Sequence, residues 1–318
     1  MKIVTLTLNP SLDKHTYTER LLPDKKLRCD EPVYEAGGGG INVSRAIKIM
    51  GGESLAIYVA GGPAGEQLEK LLREEGIEQY IIKIEQPTRE NLTVIEKSTA
   101  NQYRFGMPGS EVGEAALKEC ISVIEELPDE VEFLVASGSL PPGVAEDFYA
   151  QLAEIANRKG IKYIVDTSGK ALEKTADKGV YLLKPNLGEL SQLAGKEEIS
   201  AIEQEAIAQE IISKGKAEIL VVSLGPRGAM LATKDQVEYV VPPTIKQKST
   251  VGAGDSMVAG LVLALSRGEN LRDVVQRGVA AGTAATMTAG TELCRNEDVE
   301  TILEWLNKTD EKGGGIDH

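Results

Sequence analysis

Short, apolar, β-rich runs alternate with stretches of helical period along most of this chain, and no other feature constrains the fold as much. The runs are Ile57-Tyr58-Val59-Ala60, Phe133-Leu134-Val135-Ala136, Tyr163-Ile164-Val165, Val180-Tyr181-Leu182-Leu183 and Ile219-Leu220-Val221-Val222. Helical period is found over 41–50, 67–75, 114–126, 145–158, 201–213, from Asp255 onward, and over 271–288, where small residues predict close packing. Strands that are apolar throughout, rather than at every second position, are buried on both faces. The pattern therefore predicts an α/β fold with a mostly parallel sheet and helices on both sides.

Two regions, 16–35 and 88–107, break the alternation. In the second, Leu92-Thr93-Val94-Ile95 and Gln102-Tyr103-Arg104-Phe105 read as strands joined by the polar stretch 97–101. Neither region adjoins a helix, which predicts a small antiparallel β sheet, serving as a lid or an interface.

With 318 residues, 42% of them hydrophobic, the chain can bury a large core in one domain. Its formal charge of −14 disfavours nucleic acid and anionic membrane surfaces, so an anionic ligand needs a local cluster of cations. Apolar runs are too short for a membrane span, and the opening Met1–Leu8 alternates like a strand rather than a signal peptide. Three widely spaced cysteines, Cys29, Cys120 and Cys294, fit neither a disulfide framework nor a zinc ribbon and predict a reducing cytoplasm. Only His15 and His318 are histidines, so acid–base chemistry falls to a carboxylate.

The segment Ser249-Thr250-Val251-Gly252-Ala253-Gly254-Asp255-Ser256 places small residues and one carboxylate where an apolar helix begins. Glycine lets backbone N–H groups approach an anion and the helix aims its positive dipole end there, so Gly252, Ala253 and Gly254 read as an anion cradle with Asp255 as a base. A plain helix N-cap after a glycine turn is the competing reading. The dinucleotide fingerprint is excluded because Met257 occupies the third-glycine position, and no window supplies a Walker A loop.

Gly37-Gly38-Gly39-Gly40-Ile41-Asn42 sets four glycines before a helix, an entropic cost that predicts very close backbone approach, with Asn42 facing ligand hydroxyls or merely occupying the first turn. Asp13, after a turn-like Asn9-Pro10-Ser11, is a second candidate for sugar hydroxyls. Cations gather at Lys25, Lys26 and Arg28 and at Arg89 and Arg104, which suits phosphate oxygens. Lys184-Pro185-Asn186-Leu187-Gly188-Glu189 follows a buried strand, at the strand end where α/β sheets bind ligands. Asn186 and Glu189 there could hold magnesium through water or simply start a helix. Asp166 has the same ambiguity, and Ser223–Gly228 suits a nucleotide phosphate or a hairpin turn.

Taken in order, Gly37–Asn42, Lys184–Glu189, Ser223–Gly228 and Thr250–Asp255 resemble the PfkB branch of the ribokinase-like carbohydrate kinases, a likeness that spans Met1 to about Thr291. Leu27-Arg28-Cys29, Gln102-Tyr103-Arg104-Phe105, Ser137–Gly143, Pro242-Pro243 and Gly290–Cys294 are similar to its minor bacterial 6-phosphofructokinase members. Thr5–Asp13 is equally similar to 1-phosphofructokinases and tagatose-6-phosphate kinases.

The resemblance implies a Rossmann-like sheet and a kinase domain over 1–308, with a β lid from about 13–36 and 87–107 that pairs with a second subunit. The tail 309–318 is expected to be disordered. The resemblance also implies ATP and Mg²⁺, a phosphorylated ketohexose as acceptor, Asp255 as base and the amides of 252–254 as anion hole. It implies sugar contacts at Asp13, Gly38, Gly39 and Asn42, and sugar-phosphate contacts at Lys26, Arg89, Arg104 and Ser139. Nucleotide contacts are implied at Lys184, Asn186, Ser223, Gly225 and Gly228, with Glu189, and Asp166 as a weaker candidate, near magnesium. The expected reaction is phosphorylation of fructose 6-phosphate at C1. The helix dipole predicts Asp255 to be a ready carboxylate at neutral pH. A non-catalytic sugar-phosphate-binding regulator is the alternative of another class, disfavoured by the intact 252–255 segment.

Overall fold

The computed structural model describes residues 1–313. In chain order the strands are β1 (Ile3–Thr7), β2 (Ser11–Thr18), β3 (Val33–Gly37), β4 (Leu55–Ala60), β5 (Glu78–Lys83), β6 (Arg89–Glu96), β7 (Gln102–Phe105), β8 (Phe133–Ser137), β9 (Lys162–Asp166), β10 (Val180–Leu183), β11 (Ala217–Ser223), β12 (Ala229–Ala232) and β13 (Val237–Val240). The helices are α1 (Gly39–Ile49), α2 (Gly62–Glu74), α3 (Glu114–Glu125), α4 (Phe148–Lys159), α5 (Gly169–Ala176), α6 (Leu187–Leu193), α7 (Glu203–Ser213), α8 (Ala253–Ser266), α9 (Leu271–Thr286) and α10 (Asn296–Gly313).

Nine strands form the main sheet in the order β13-β12-β11-β10-β9-β8-β1-β4-β5. It is parallel from β5 through to β11 and closes with the antiparallel hairpin β11–β12–β13. Alternate strand residues feed two large cores, and a third, smaller one packs Ala56 and Tyr58 of β4 against Leu68 and Leu72 of α2. Val4, Leu134, Tyr163 and Leu183 pack against α3–α7, whereas Ile3, Phe133, Ile164 and Leu182 pack against α1 and α8–α10. That two-sided burial is why the strands read as continuous apolar runs. Strand order runs outward in opposite directions from the β1–β8 pair, so the carboxyl ends of these two strands make the crevice where such sheets take ligands.

The second sheet has the order β3-β2-β6-β7. The pairs β2–β3 and β6–β7 are antiparallel as expected, but β2 and β6 pair in parallel, from Ser11 with Arg89 to Thr18 with Glu96. Both strands leave the main sheet after a strand of that sheet and head the same way, so the small sheet is mostly antiparallel with one parallel pair at its centre. Val33, Tyr103, Phe105 and Met107 are exposed in or beside this sheet.

Helix α10 continues to Gly313 because the pattern Val299, Ile302, Leu303, Leu306 buries one face, so 309–313 are helical where a disordered tail is expected. The remainder of that tail, 314–318, lies outside the described residues. Among the described residues no helix is long and apolar enough to cross a membrane.

Candidate active site

Asp255 sits in the first turn of α8, a helix buried over Ser256–Ala264 and therefore fixed against the sheet. Its N-cap, Gly252, has φ 70°, and a Cβ there would come 2.5 Å from Leu293 Cδ2, so both backbone and packing require glycine. The Asp255 carboxylate accepts from Asn42 Nδ2 at 2.9 Å and from Ser137 Oγ at 3.4 Å. Asn42, expected to meet sugar hydroxyls, thus directs its amide at the carboxylate.

The tetraglycine stretch explains how Asn42 gets there. A Cβ on Gly39 would stand 2.6 Å from the Ser137 carbonyl carbon and 2.7 Å from Gly138 N, and one on Gly40 would stand 2.5 Å from Leu6 O. The head of α1 is pressed onto the ends of β1 and β8, a contact no side chain permits. Close approach is the reason for the glycines, not a flexible hinge.

Burial, and after it the charge of Asp166, pushes the Asp255 carboxyl up to about 6, while Asn42, Lys184 and Ser137 pull it back in part. The carboxyl is thus raised rather than held low, yet at neutral pH it is still mostly ionised, as a base must be. Asp166 ends β9 and pairs with Lys184 Nζ at 3.1 Å, the two side chains being 17% and 6% exposed. Burial opposes the Lys184 ammonium, but Asp166, Glu189 and Asp255 outweigh it and its pKa is raised. Burial likewise raises Glu189, against hydrogen bonds from Asn186. A carboxylate-rich crevice with one lysine is suited to a cation brought in with a phosphate.

Beside the head of α8 lies a cavity of about 320 Å³. Ala253 and Gly254 close one end, Ser223, Gly225 and Gly228 lie along it, and Met257 and Val279 contribute an apolar wall. Gly228 is glycine because φ is 84° and a Cβ would meet Pro242 Cδ at 2.8 Å. The Ser223–Gly228 stretch is both of the things its sequence allows, a turn joining β11 to β12 and a cavity wall. Lys184 and Asn186 do not line this cavity. Asn186 is the N-cap of α6, accepting from Glu189 N at 2.9 Å while its own N–H donates to Glu189 Oε2 at 2.8 Å, a capping box. The wall from α9 and the 242–247 segment was not anticipated; in the sequence only the small residues of α9 hinted at it.

On the other side of Asp255, Asp13 Oδ1 accepts from Ser11 Oγ at 2.7 Å and from Asn91 Nδ2 at 2.9 Å. Asn91 escaped the sequence reading, although its place two residues after Arg89 on one strand puts both on one face. Arg89 donates to the carbonyls of Asn9 at 3.0 Å, Pro10 at 3.2 Å and Met107 at 3.2 Å. Ser139 accepts from Asn9 Nδ2 at 3.0 Å. Arg89 and Ser139 border an open groove of about 610 Å³ that continues to Lys170. Lys26, in the exposed loop after β2, and Arg104, exposed on β7 opposite Thr93, line neither the groove nor the cavity.

Asp255 stands between the two openings, since its chain neighbour Gly254 lines the cavity and Ser137, which donates to its carboxylate, is two residues from Ser139 on the groove. Residues 8–298 match the family model described as pfkB family carbohydrate kinase. The chain belongs to the pfkB family of carbohydrate kinases. This kinase is 45% identical to the ATP-dependent 6-phosphofructokinase isozyme 2 of Escherichia coli (strain K12), over 97% of the chain and 100% of that protein. It is 33% identical to a 1-phosphofructokinase of Borreliella burgdorferi, over 95% of the chain and 96% of that protein. Its fold superimposes on the crystal structure of Escherichia coli phosphofructokinase-2 in complex with fructose-6-phosphate with a TM-score of 0.91, at 43% identity, covering 96% of the chain and 99% of that structure. The kinase thus has the α/β, ribokinase-like architecture of its relatives.

Proposed function

We propose that this kinase transfers the γ-phosphoryl group of ATP to the C1 hydroxyl of fructose 6-phosphate, giving fructose 1,6-bisphosphate and ADP. The observation that carries the reading is the position of Asp255. Its neighbour Gly254 closes the cavity beside α8, while its carboxylate is held by Ser137, two residues from Ser139 on the groove. An alcohol lying on the groove side and a phosphate entering from the cavity side would meet at this carboxylate.

Asp255 takes the hydroxyl proton as the C1 oxygen attacks, and the amides of 252–254 stabilise the charge on the transferring group. Because the transition state is loose, holding the two substrates in line contributes more than proton removal. Asp13, the backbone at Gly38 and Gly39, and Asn42 hold the sugar; Arg89 and Ser139 hold its phosphate, with Lys26 and Arg104 joining from the exposed sheet. Ser223, Gly225 and Gly228 contact the nucleotide, and Lys184 supports it from behind through Asp166.

Among the described residues no cluster of three acidic, histidine or cysteine side chains is arranged as a metal cage. Magnesium needs none, since it takes one or two carboxylates, waters and substrate phosphates, and the oxygens of Glu189 and Asp166 fit that role. When bound it neutralises charge on the phosphates. The small sheet serves as a lid that excludes water and, through its exposed Val33, Tyr103 and Phe105, as the contact with a second copy of the chain. Its free cysteines suit a cytoplasmic enzyme.

ADP release measured with fructose 6-phosphate, fructose 1-phosphate and tagatose 6-phosphate tests the reading. Fructose 6-phosphate should give the highest kcat/KM. Preference for another of the three would reassign the acceptor, and no turnover with any would favour a binding protein.

A further inference from the structure

The two halves of the site are joined by a polar contact between Glu35 and Thr291. Glu35, on β3, stands opposite Asp13 of β2 in the register of the small sheet. Its Oε2 accepts a hydrogen bond from Thr291 Oγ1 and lies 3.3 Å from His15 Nδ1, the His15 and Glu35 side chains being 15% and 16% exposed. Thr291 belongs to the turn between α9 and α10, which is itself tied to the head of α8. The Gly290 carbonyl accepts from Ser249 Oγ at 2.8 Å, Val251 N–H donates to the same Ser249 Oγ at 3.2 Å, and Leu293 fills the space under Gly252.

The sheet that carries Asp13 is thereby connected, residue by residue, to the turn that carries the 252–254 amides. We infer that Glu35 and Thr291 are positioning residues for the transfer step, a clamp that fixes where the sugar-bearing sheet stands relative to the anion hole, with His15 packed against the same carboxylate. The inference rests on the proposed reading of the two substrate sides. Its physical basis is that a partly buried carboxylate holds a hydroxyl donor firmly, and that a small displacement between reacting groups lowers rate far more than affinity.

The test is a double-mutant cycle with Thr291→Val, which keeps the shape and removes the donor, Glu35→Gln and the pair, assayed with whichever sugar phosphate the wild type accepts. Each single variant should lower kcat by ~3- to 30-fold, with KM for ATP within about twofold, and the double variant should be no worse than the poorer single. Thr291→Ser should restore at least about half of kcat. Melting temperatures taken in parallel separate misfolding from misplacement. Unchanged kcat in Thr291→Val, or losses that multiply in the double variant, would overturn the clamp while leaving the kinase reading in place. A wild type that phosphorylates none of the sugars would reject both.

Discussion

Asn42 donates from its side-chain amide to the Asp255 carboxylate at 2.9 Å, although 213 positions separate them in the chain. This bond favours the ionised form of a carboxyl that burial and Asp166 push up to about 6. It sets how much of the enzyme holds a proton-accepting carboxylate as the solution becomes acidic.

The pH profile of kcat/KM, which reports the free enzyme, should therefore have an acidic limb near pH 6, about the value for Asp255, rather than near 4 where an ordinary aspartate titrates. Asn42→Leu removes a donor to the ionised form and should move that limb to higher pH. A limb that stays put in Asn42→Leu would assign the titration to another group.

The same raised pKa has a stability consequence. Between the ordinary aspartate value and about 6 the folded state binds more protons than the unfolded one, so stability is greatest below that window and falls as pH rises through it. Asp255→Asn should then be at least as stable as wild type at pH 8, by ~1–2 kcal/mol, and lose that advantage at pH 4. Denaturant unfolding at the two pH values checks the sign.

Arg89 ties the base of β6 to the Asn9 and Pro10 carbonyls and borders the open groove. Arg89→Ala should raise KM for fructose 6-phosphate ~10-fold or more and KM for ATP little, since loss of a charged hydrogen-bonding partner costs ~1.5–3 kcal/mol. Arg89→Lys should not restore it, because an ammonium cannot reproduce the guanidinium fork. Equal effects on both Michaelis constants would place Arg89 outside the sugar-phosphate side.

Gly39→Ala should destabilise the protein by ~1–3 kcal/mol, because its Cβ would press on the Ser137 and Gly138 backbone. Gly113→Ala, at the N-cap of α3 with φ −69° and nothing within 4 Å of the added carbon, should change stability by no more than ~0.5 kcal/mol. Thermal melts of the two variants compare a glycine required by contact with one that is not.

The main sheet was legible because burial on both faces writes continuous apolar runs, and the head of α8 because glycine, aspartate and an apolar helix fall together at 252–265. Pairings between distant segments were not. The parallel β2–β6 contact, the Asn42–Asp255 bond and the Asp166 charge acting on Asp255 all join residues whose sequence neighbourhoods carry no trace of each other. Lys184 shows a related limit: it follows a buried strand as expected, yet it turns inward to Asp166 instead of lining the cavity. The β12–β13 hairpin was missed because its first strand, Ala229–Ala232, contains no β-branched or aromatic residue to mark it as a strand.

Turnover of Asp255→Asn with saturating ATP and fructose 6-phosphate bears most directly on the account. With the carboxylate replaced by an isosteric amide, kcat should fall by ~10²–10⁴ while fructose 6-phosphate still binds with near wild-type affinity. Near-normal kcat in a correctly folded Asp255→Asn enzyme would contradict it.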